Sequence, residues 1–304
     1  MKALVTGATG FIGSFLIEWL LEQNVEVGIV LRPGSDPWRL SAVLNRIKVI
    51  SGDIADVDAL TEAFIAFSPD VVYHSAWAGV GNHAKSGPEQ IEQNLIPTIK
   101  LARLAVSAGC SAFVGLGSQA EYGPHSEPID ESMMTTPSTM YGSAKLSAYH
   151  LCRTTLLDTG VRFAWIRVFS TYGPKDNLGW MTPYLIKCLL NTDRPALTGG
   201  AQIWDFLYVT DAAEAIGLVG MTNSAHGVFN LGSGKPILLK KYIEQLRNYI
   251  DPTLALGFGE VPYRSDQVMR LEPKIDKLRN SIDWNPRISI EMGLRETIHW
   301  FKNL

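Results

Sequence analysis

The apolar run Ala3-Leu4-Val5 leads directly into Thr6-Gly7-Ala8-Thr9-Gly10-Phe11-Ile12-Gly13. A helical pattern over residues 11–23 follows, with Phe11, Phe15, Ile17, Leu20 and Leu21 at near-helical spacing. A glycine at every third position between a first strand and a first helix constrains the fold more than any other feature of the chain. Gly7 suits the tight turn, Gly10 lets backbone approach a pyrophosphate without a Cβ, and Gly13 lets the helix pack close to the strand. The helix N-terminus offers unpaired N–H groups to phosphate. Gly7, Thr9, Gly10, Phe11, Ile12 and Gly13 are therefore expected to hold a dinucleotide.

The rest of the first half follows the same plan. Apolar, β-branched runs at 2–6, 26–32, 48–50, 71–75, 112–117 and 162–168 alternate with helical patterns, among them 94–108. Continuous apolar runs mark parallel strands buried on both faces, and their alternation with helices marks βαβ units. The expectation is an α/β fold: a Rossmann-type, doubly wound parallel sheet over 1–169, with a smaller C-terminal substrate-binding lobe over 170–304. Pro174, Pro183, Pro195 and Gly199-Gly200 break the second half into shorter pieces. Two apolar stretches there, 204–209 and 228–231, are expected to return to the main sheet.

Composition excludes several classes of partner. The chain has 304 residues and a net charge of −3, with no basic block of the kind that binds nucleic acid or an anionic membrane. No apolar run approaches the roughly 20 residues that span a bilayer, and none at the start resembles a secretory signal. Cys110, Cys152 and Cys188 are three in number and widely spaced. That pattern fits a reducing cytoplasm and provides no metal site.

The second strand ends Val30-Leu31-Arg32, where a dinucleotide fold specific for NAD(H) carries an acidic residue. An arginine meets a 2′-phosphate that an aspartate would repel, so NADP(H) is preferred and NAD(H) remains possible. Asp53, before Ile54, can accept from an adenine amino group, and it can equally cap a loop. Ser75, Ala76 and Trp77 follow the fourth strand in a run of small residues suited to close passage of a cofactor. His74 reads as a hydrogen-bonded core histidine.

Catalytic chemistry is suggested further along. Tyr141 and Lys145 stand four apart at the start of a helical pattern, hence on one face. A neighbouring cation stabilises a phenolate and lowers a tyrosine pKa from about 10 toward working pH, which makes the tyrosine a usable acid or base. Ser118 ends the strand at 112–117, at the carboxyl edge where open α/β sheets bind ligands, and Gln119 follows it.

These residues resemble the extended short-chain dehydrogenase/reductase family, in its nucleotide-sugar epimerase, dehydratase and ketoreductase branch. The resemblance also takes in Asp53, His74-Ser75-Ala76, Asn94, the segment from Arg167 to Pro174, the segment from Trp204 to Asp211, Tyr263-Arg264 and Asp283-Trp284-Asn285-Pro286. It implies that Ser118 and Tyr141 sit at the substrate oxygen and that Lys145 binds the nicotinamide ribose. It further implies that Gln119, Ser170, Trp204, Tyr208 and Arg264 contact the nucleotide sugar, and that two subunits pair through two helices each. Dehydratases of this branch carry an acidic pair after the active-site Thr; here those places hold Gln119 and Ala120, which disfavours water elimination. Trp204 and Ser170 also depart from the usual Arg and Asn.

The leading expectation is NADPH-dependent reduction of a CDP- or dTDP-linked 4-keto-6-deoxy sugar. The alternative is an NAD-dependent nucleotide-sugar 4-epimerase using the same residues. A carbonyl reductase of a small ketone lies within the same fold, and a non-catalytic dinucleotide sensor is the reading from another class.

Overall fold

The computed structural model describes residues 1–81, 87–264 and 267–304. The chain opens with β1 (Lys2–Thr6), α1 (Phe11–Glu22), β2 (Glu26–Leu31), β3 (Lys48–Ser51), α2 (Val57–Phe67) and β4 (Val71–His74). A π-type turn at Gln90–Leu95 runs into α3 (Ile96–Ser107), followed by β5 (Ala112–Ser118), α4 (Met140–Leu156) and β6 (Arg162–Val168). Next come β7 (Ser170–Tyr172), α5 (Met181–Leu190), β8 (Ala196–Leu197), β9 (Ile203–Trp204), β10 (Phe206–Tyr208), α6 (Val209–Met221) and β11 (Gly227–Leu231). The chain closes with β12 (Ile237–Leu238), α7 (Leu239–Ile250), β13 (Gly257–Phe258), β14 (Arg270–Leu271), α8 (Asp276–Ile282) and α9 (Ile290–Lys302).

Seven strands form one sheet in the order β11-β6-β5-β4-β1-β2-β3, and every neighbouring pair is parallel. This is the doubly wound sheet expected from the apolar runs. Because successive side chains point to opposite faces, each strand feeds two cores. Val5, Ile29, Tyr73, Val114 and Ile166 pack with Leu16 and Leu20 of α1 and Ile216 of α6. Leu4, Val30, Val72 and Phe113 pack with Phe64 of α2, Leu101 of α3 and Leu156 of α4. A third core gathers Tyr172, Phe206 and Tyr208 with Leu185 of α5, Tyr242 of α7 and Leu294 of α9; there the Phe206 and Tyr242 rings stack 3.9 Å apart.

One returning segment matches its expectation and the other does not. Residues 228–231 lie in β11, the edge strand beside β6. The stretch 204–209 stays out of the main sheet: β9 pairs with β12 and β14, β10 pairs with β7, and Val209 opens α6. Asp205 breaks the run. Its fully buried carboxylate accepts from the N–H groups of Ser233 and Lys235 at 2.6 and 3.0 Å, which ties the segment to the loop after β11.

The three cysteines carry free thiols, and no helix of the described residues is long and apolar enough to cross a membrane.

Arg162, the first residue of β6, holds the far end of α6. Its guanidinium donates to the carbonyls of Val219 at 3.0 Å, Gly220 at 2.6 Å and Ala225 at 2.5 Å. Those carbonyls have no intrahelical donor, and a cation is favourable beside them. Arg162→Met should therefore lower unfolding stability by roughly 2 to 3 kcal/mol. A urea midpoint equal to that of the parent would show that water serves these carbonyls equally well.

Candidate active site

The glycine turn is built by close backbone contact at the carboxyl ends of β1 and β4. Gly7 is left-handed, with φ 72°, and the Gly10 N–H donates to its carbonyl at 3.0 Å. A Cβ on Gly7 would lie 2.6 Å from the Ala76 nitrogen, and one on Gly13 would lie 2.2 Å from the Gly7 oxygen. Side chains are therefore sterically excluded from this cradle. α1 starts at Phe11 behind Gly10, which has no side chain to cap the helix, so the first-turn N–H groups face outward. A pyrophosphate fits such a cradle. Phe11 packs edge-on to Phe15 at 6.0 Å, Ile12 packs on the first core, and the Thr9 carbonyl accepts from Arg39 at 3.0 Å.

The β4 loop forms the opposite wall. The Ser75 hydroxyl donates to the Thr6 carbonyl at 2.8 Å, and the Ala76 N–H to the Thr6 hydroxyl at 3.4 Å. Trp77 donates through Nε1 to Gln90 at 2.8 Å, and Asn94 clamps both backbone groups of Ala78, at 2.6 and 3.1 Å. Gln90 escapes notice in the sequence; its signal is its position one helical turn before Asn94.

His74 is a core residue, as expected. Its ring lies between the hydroxyls of Thr6 at 2.7 Å and Thr98 at 2.8 Å. Thr98 gives its own proton to the Asn94 carbonyl at 2.7 Å, so Nε2 carries the ring proton and Nδ1 accepts. Burial, with the Lys145 charge adding to it, pushes its pKa down to about 3.

At the adenosine end, Arg32 is exposed just past β2. Asp53 uses its carboxylate to cap the turn Ile54–Asp56, accepting from the Ala55 N–H at 2.9 Å, so the loop-capping reading accounts for it here. Ile54 packs against the second core.

Ser118, Tyr141 and Lys145 do come together. Thr139 caps α4 by accepting from the Gly142 N–H at 3.1 Å, which puts Tyr141 in the first turn and Lys145 one turn on. The Tyr141 and Ser118 hydroxyls are hydrogen-bonded, and the Ser118 oxygen also accepts from the Ala120 N–H at 3.2 Å. Lys145 donates to the Leu116 carbonyl at 2.6 Å, with its ammonium 3.8 Å from the Trp77 ring centroid. The tyrosine departs from expectation: burial pushes its pKa up to about 12, the Ser118 bond opposes this and Glu121 reinforces it. Desolvation penalises the phenolate, and the ammonium is directed at Leu116 and Trp77. Burial likewise lowers the pKa of Lys145, against the pull of Glu121.

Glu121 is the residue that sequence reasoning missed. Its carboxylate is fully buried and takes N–H groups from Ser118 at 2.8 Å, Trp165 at 2.9 Å and Arg167 at 2.7 Å. The available signal was the S-x-x-E spacing of a capping box, Ser118 to Glu121.

The residues expected at the substrate are more scattered. Gln119 opens the turn after β5 and is half-buried, as is Ser170 at the start of β7. Trp204 donates to the Val268 carbonyl at 3.1 Å. Tyr208 is a correction: it is buried in the third core, edge-on to Tyr172 at 5.6 Å, with its hydroxyl given to Glu296 at 2.6 Å. Arg264 lies on an exposed stretch, where its carbonyl accepts from the Gln267 N–H at 3.1 Å. Among the described residues, no group of three His, Cys, Asp or Glu side chains is placed to hold a metal ion.

Residues 3–232 match the model of the NAD dependent epimerase/dehydratase family. The chain is 29% identical to a UDP-glucose 4-epimerase of Halalkalibacterium halodurans, over 99% of this chain and 96% of that one. It is 29% identical to a UDP-glucuronate 4-epimerase of Thermodesulfobacterium geofontis, over 98% and 95%. Among solved structures it is similar to the UDP-glucuronic acid 4-epimerase of Bacillus cereus in complex with UDP-glucuronic acid and NAD. That likeness has 25% identity and a TM-score of 0.88, over 100% of this chain and 99% of that one.

The His74 environment predicts a pH dependence of stability. Unfolded, the ring takes up a proton below about pH 6.5; folded, it stays neutral down to about pH 3. Between these values the unfolded chain binds more protons. This contribution is thus whole above pH 6.5 and falls in acid by up to about 1.4 kcal/mol per pH unit. Urea unfolding between pH 6 and 4 should show a shallower slope for His74→Gln than for the parent; identical slopes would contradict the assignment.

Proposed function

Because the chain belongs to the NAD dependent epimerase/dehydratase family, we propose that it inverts C4 of a nucleotide-linked sugar, using a nicotinamide dinucleotide on the glycine turn. The observation that carries this reading is the hydrogen-bonded pair of Ser118 and Tyr141 hydroxyls beside Lys145. These lie on the same carboxyl edge of the sheet as Gly7 and Gly13, with Trp77 packed against both Lys145 and Tyr141. The relatives that cover nearly the whole chain and are named as 4-epimerases support it further.

In this mechanism Gly7, Gly10, Gly13 and the start of α1 would hold the pyrophosphate, and Ser75, Ala76 and Trp77 would flank the nicotinamide half. A bound dinucleotide would supply the hydride acceptor and donor for the sugar carbon. Tyr141 removes the proton of the C4 hydroxyl and later returns one. Ser118 lies against Tyr141, where its bond favours the phenolate, and would orient the sugar oxygen beside that hydroxyl. Lys145, one turn after Tyr141 on α4, keeps its ammonium at the Leu116 carbonyl and the Trp77 ring, where it would bind the nicotinamide ribose. Gln119 and Ala120 supply no acid or base for eliminating water. Residues 170–304, with Ser170, Trp204 and Arg264, contribute most of the nucleotide-sugar grip. We place the protein in the cytoplasm as a homodimer joined through α3 and α4.

A second reading is favoured by Arg32. An exposed arginine at the end of β2 suits the 2′-phosphate of NADPH, and hence reduction of a nucleotide-linked 4-keto-6-deoxy sugar. The solved relative was seen with NAD, which leans toward the epimerase. A non-catalytic dinucleotide sensor would have no use for Ser118, Tyr141 and Lys145 together.

Incubation with UDP-glucose or UDP-glucuronic acid and no added cofactor should yield the C4 epimer by chromatography. Stoichiometric NADPH oxidation with a dTDP- or CDP-4-keto-6-deoxyhexose, and no epimer, would decide for the reductase. Tyr141→Phe should lower kcat by about 10³-fold while dinucleotide binding persists. Arg32→Asp should weaken NADPH selectively; equal losses for NADH and NADPH would remove Arg32 from cofactor choice.

A further inference from the structure

Glu121 and Arg167 form an ion pair in which both side chains are almost wholly buried. Such a pair is seldom more stable than apolar residues of similar volume, so its presence calls for a reason beyond stability. The reason lies in what the carboxylate touches. Oε1 receives the Ser118 N–H at 2.8 Å and Trp165 Nε1 at 2.9 Å, and Oε2 receives Arg167 Nε at 2.7 Å. Ser118 closes the box by accepting from the Ala120 N–H. Gly117 makes the space: a Cβ there would lie 2.2 Å from Trp165 Nε1 and 2.4 Å from Glu121 Oε1. The Arg167 guanidinium in turn lies 4.3 Å from the Tyr122 ring centroid.

We propose that Glu121 is a positioning residue of the reaction: held by Trp165 and Arg167, it fixes the turn that carries Ser118 and supplies the buried negative charge against which Tyr141 and Lys145 work. This rests on the epimerase reading only in its kinetic arm. The charged and titratable groups around it are Arg167 on β6, Tyr141 and Lys145 on α4, Tyr122 in its own turn, and Glu131, which acts on Tyr122. His74 on β4 faces Lys145 and is neutral at working pH. The Glu121 charge raises the pKa of both Tyr141 and Lys145. It keeps Lys145 protonated in a buried place and keeps Tyr141 protonated for the step in which it gives a proton back.

Three variants separate charge from position. Glu121→Gln preserves size and loses the charge, so Tyr141 and Lys145 should titrate lower. The pH–rate profile should move toward lower pH by about 0.5 to 1 unit, with kcat down about tenfold and sugar KM within about twofold. Glu121→Asp keeps the charge and shortens the reach; it should lower kcat with the profile unmoved. Should Glu121→Gln fail to fold, Glu121→Gln with Arg167→Met removes the unpaired guanidinium as well, and the Lys145 midpoint should still fall.

A second measurement needs no substrate. In 13Cε-lysine NMR of the full chain, with the Lys145 signal assigned through Lys145→Met, the midpoint should fall in Glu121→Gln and hold in Glu121→Asp. A folded Glu121→Gln whose Lys145 midpoint and pH profile match the parent overturns the proposal. A merely structural Glu121 would lower thermal stability and kcat at all pH values alike. If the parent turns over no UDP-sugar, the epimerase reading fails, and the NMR midpoint still decides the role of Glu121.

Discussion

The contact between the Gly7 turn and the Ser75-Ala76 backbone is the constraint on which the rest of the site depends. Two strand ends approach so closely that a methyl group on Gly7 would strike the Ala76 nitrogen at 2.6 Å. The Ser75 hydroxyl fastens that approach by donating to the Thr6 carbonyl. From there the connections run outward in order. Trp77, two residues past Ser75, lies under the Lys145 ammonium and edge-on to the Tyr141 ring, while Gln90 and Asn94 hold its loop from the helix side. A change at the glycine turn therefore reaches Tyr141 through only two residues of backbone and one indole ring.

Burial governs the chemistry as firmly as it governs the packing. His74, Tyr141, Lys145 and Glu121 all lie where the charged forms of ionisable groups are penalised, and each answers differently. His74 stays neutral between two threonine hydroxyls. Tyr141 is held as the phenol. Glu121 gathers three N–H donors on its carboxylate, one of them from Arg167. Lys145 is drawn both ways, down by desolvation and up by Glu121. A site with one buried anion, two buried cations and a phenol has little tolerance for rearrangement.

Most of the sheet was legible because buried parallel strands announce themselves as unbroken apolar runs: 2–6 and 162–168 match β1 and β6 residue for residue. The Tyr141-Lys145 spacing was legible for a similar reason, since a helix makes neighbours of residues four apart. What stayed hidden depended on partners distant in sequence. The Glu121–Arg167 bond spans 46 residues, and nothing local in Glu121 beyond the capping-box spacing marks it. Tyr208 looked available in its motif, but its hydroxyl is given to Glu296, 88 residues on. The run 204–209 has the composition of one strand, and only the ties of Asp205 to Ser233 and Lys235 reveal two. The Tyr141 pKa was misjudged because spacing reports which charges are near and says nothing of how much water has been removed.

The division of labour along the chain explains why the redox chemistry reads more clearly than the substrate. In the proposed function, dinucleotide binding and hydride exchange would use backbone geometry and three side chains at one sheet edge, and these are fixed by short-range rules. The part after Ser170, to which the proposed function assigns the sugar and its nucleotide, is built of short elements: β7 to β10 and β12 to β14 carry only two or three residues each. Of the motif residues there, Trp204 is tied to the Val268 carbonyl and Tyr208 is packed inside with its hydroxyl on Glu296. Reaction type and substrate thus rest on separate physical parts of the molecule. On the proposed function, a relative can keep the first and change the second without disturbing the buried Glu121–Arg167 pair beside Ser118.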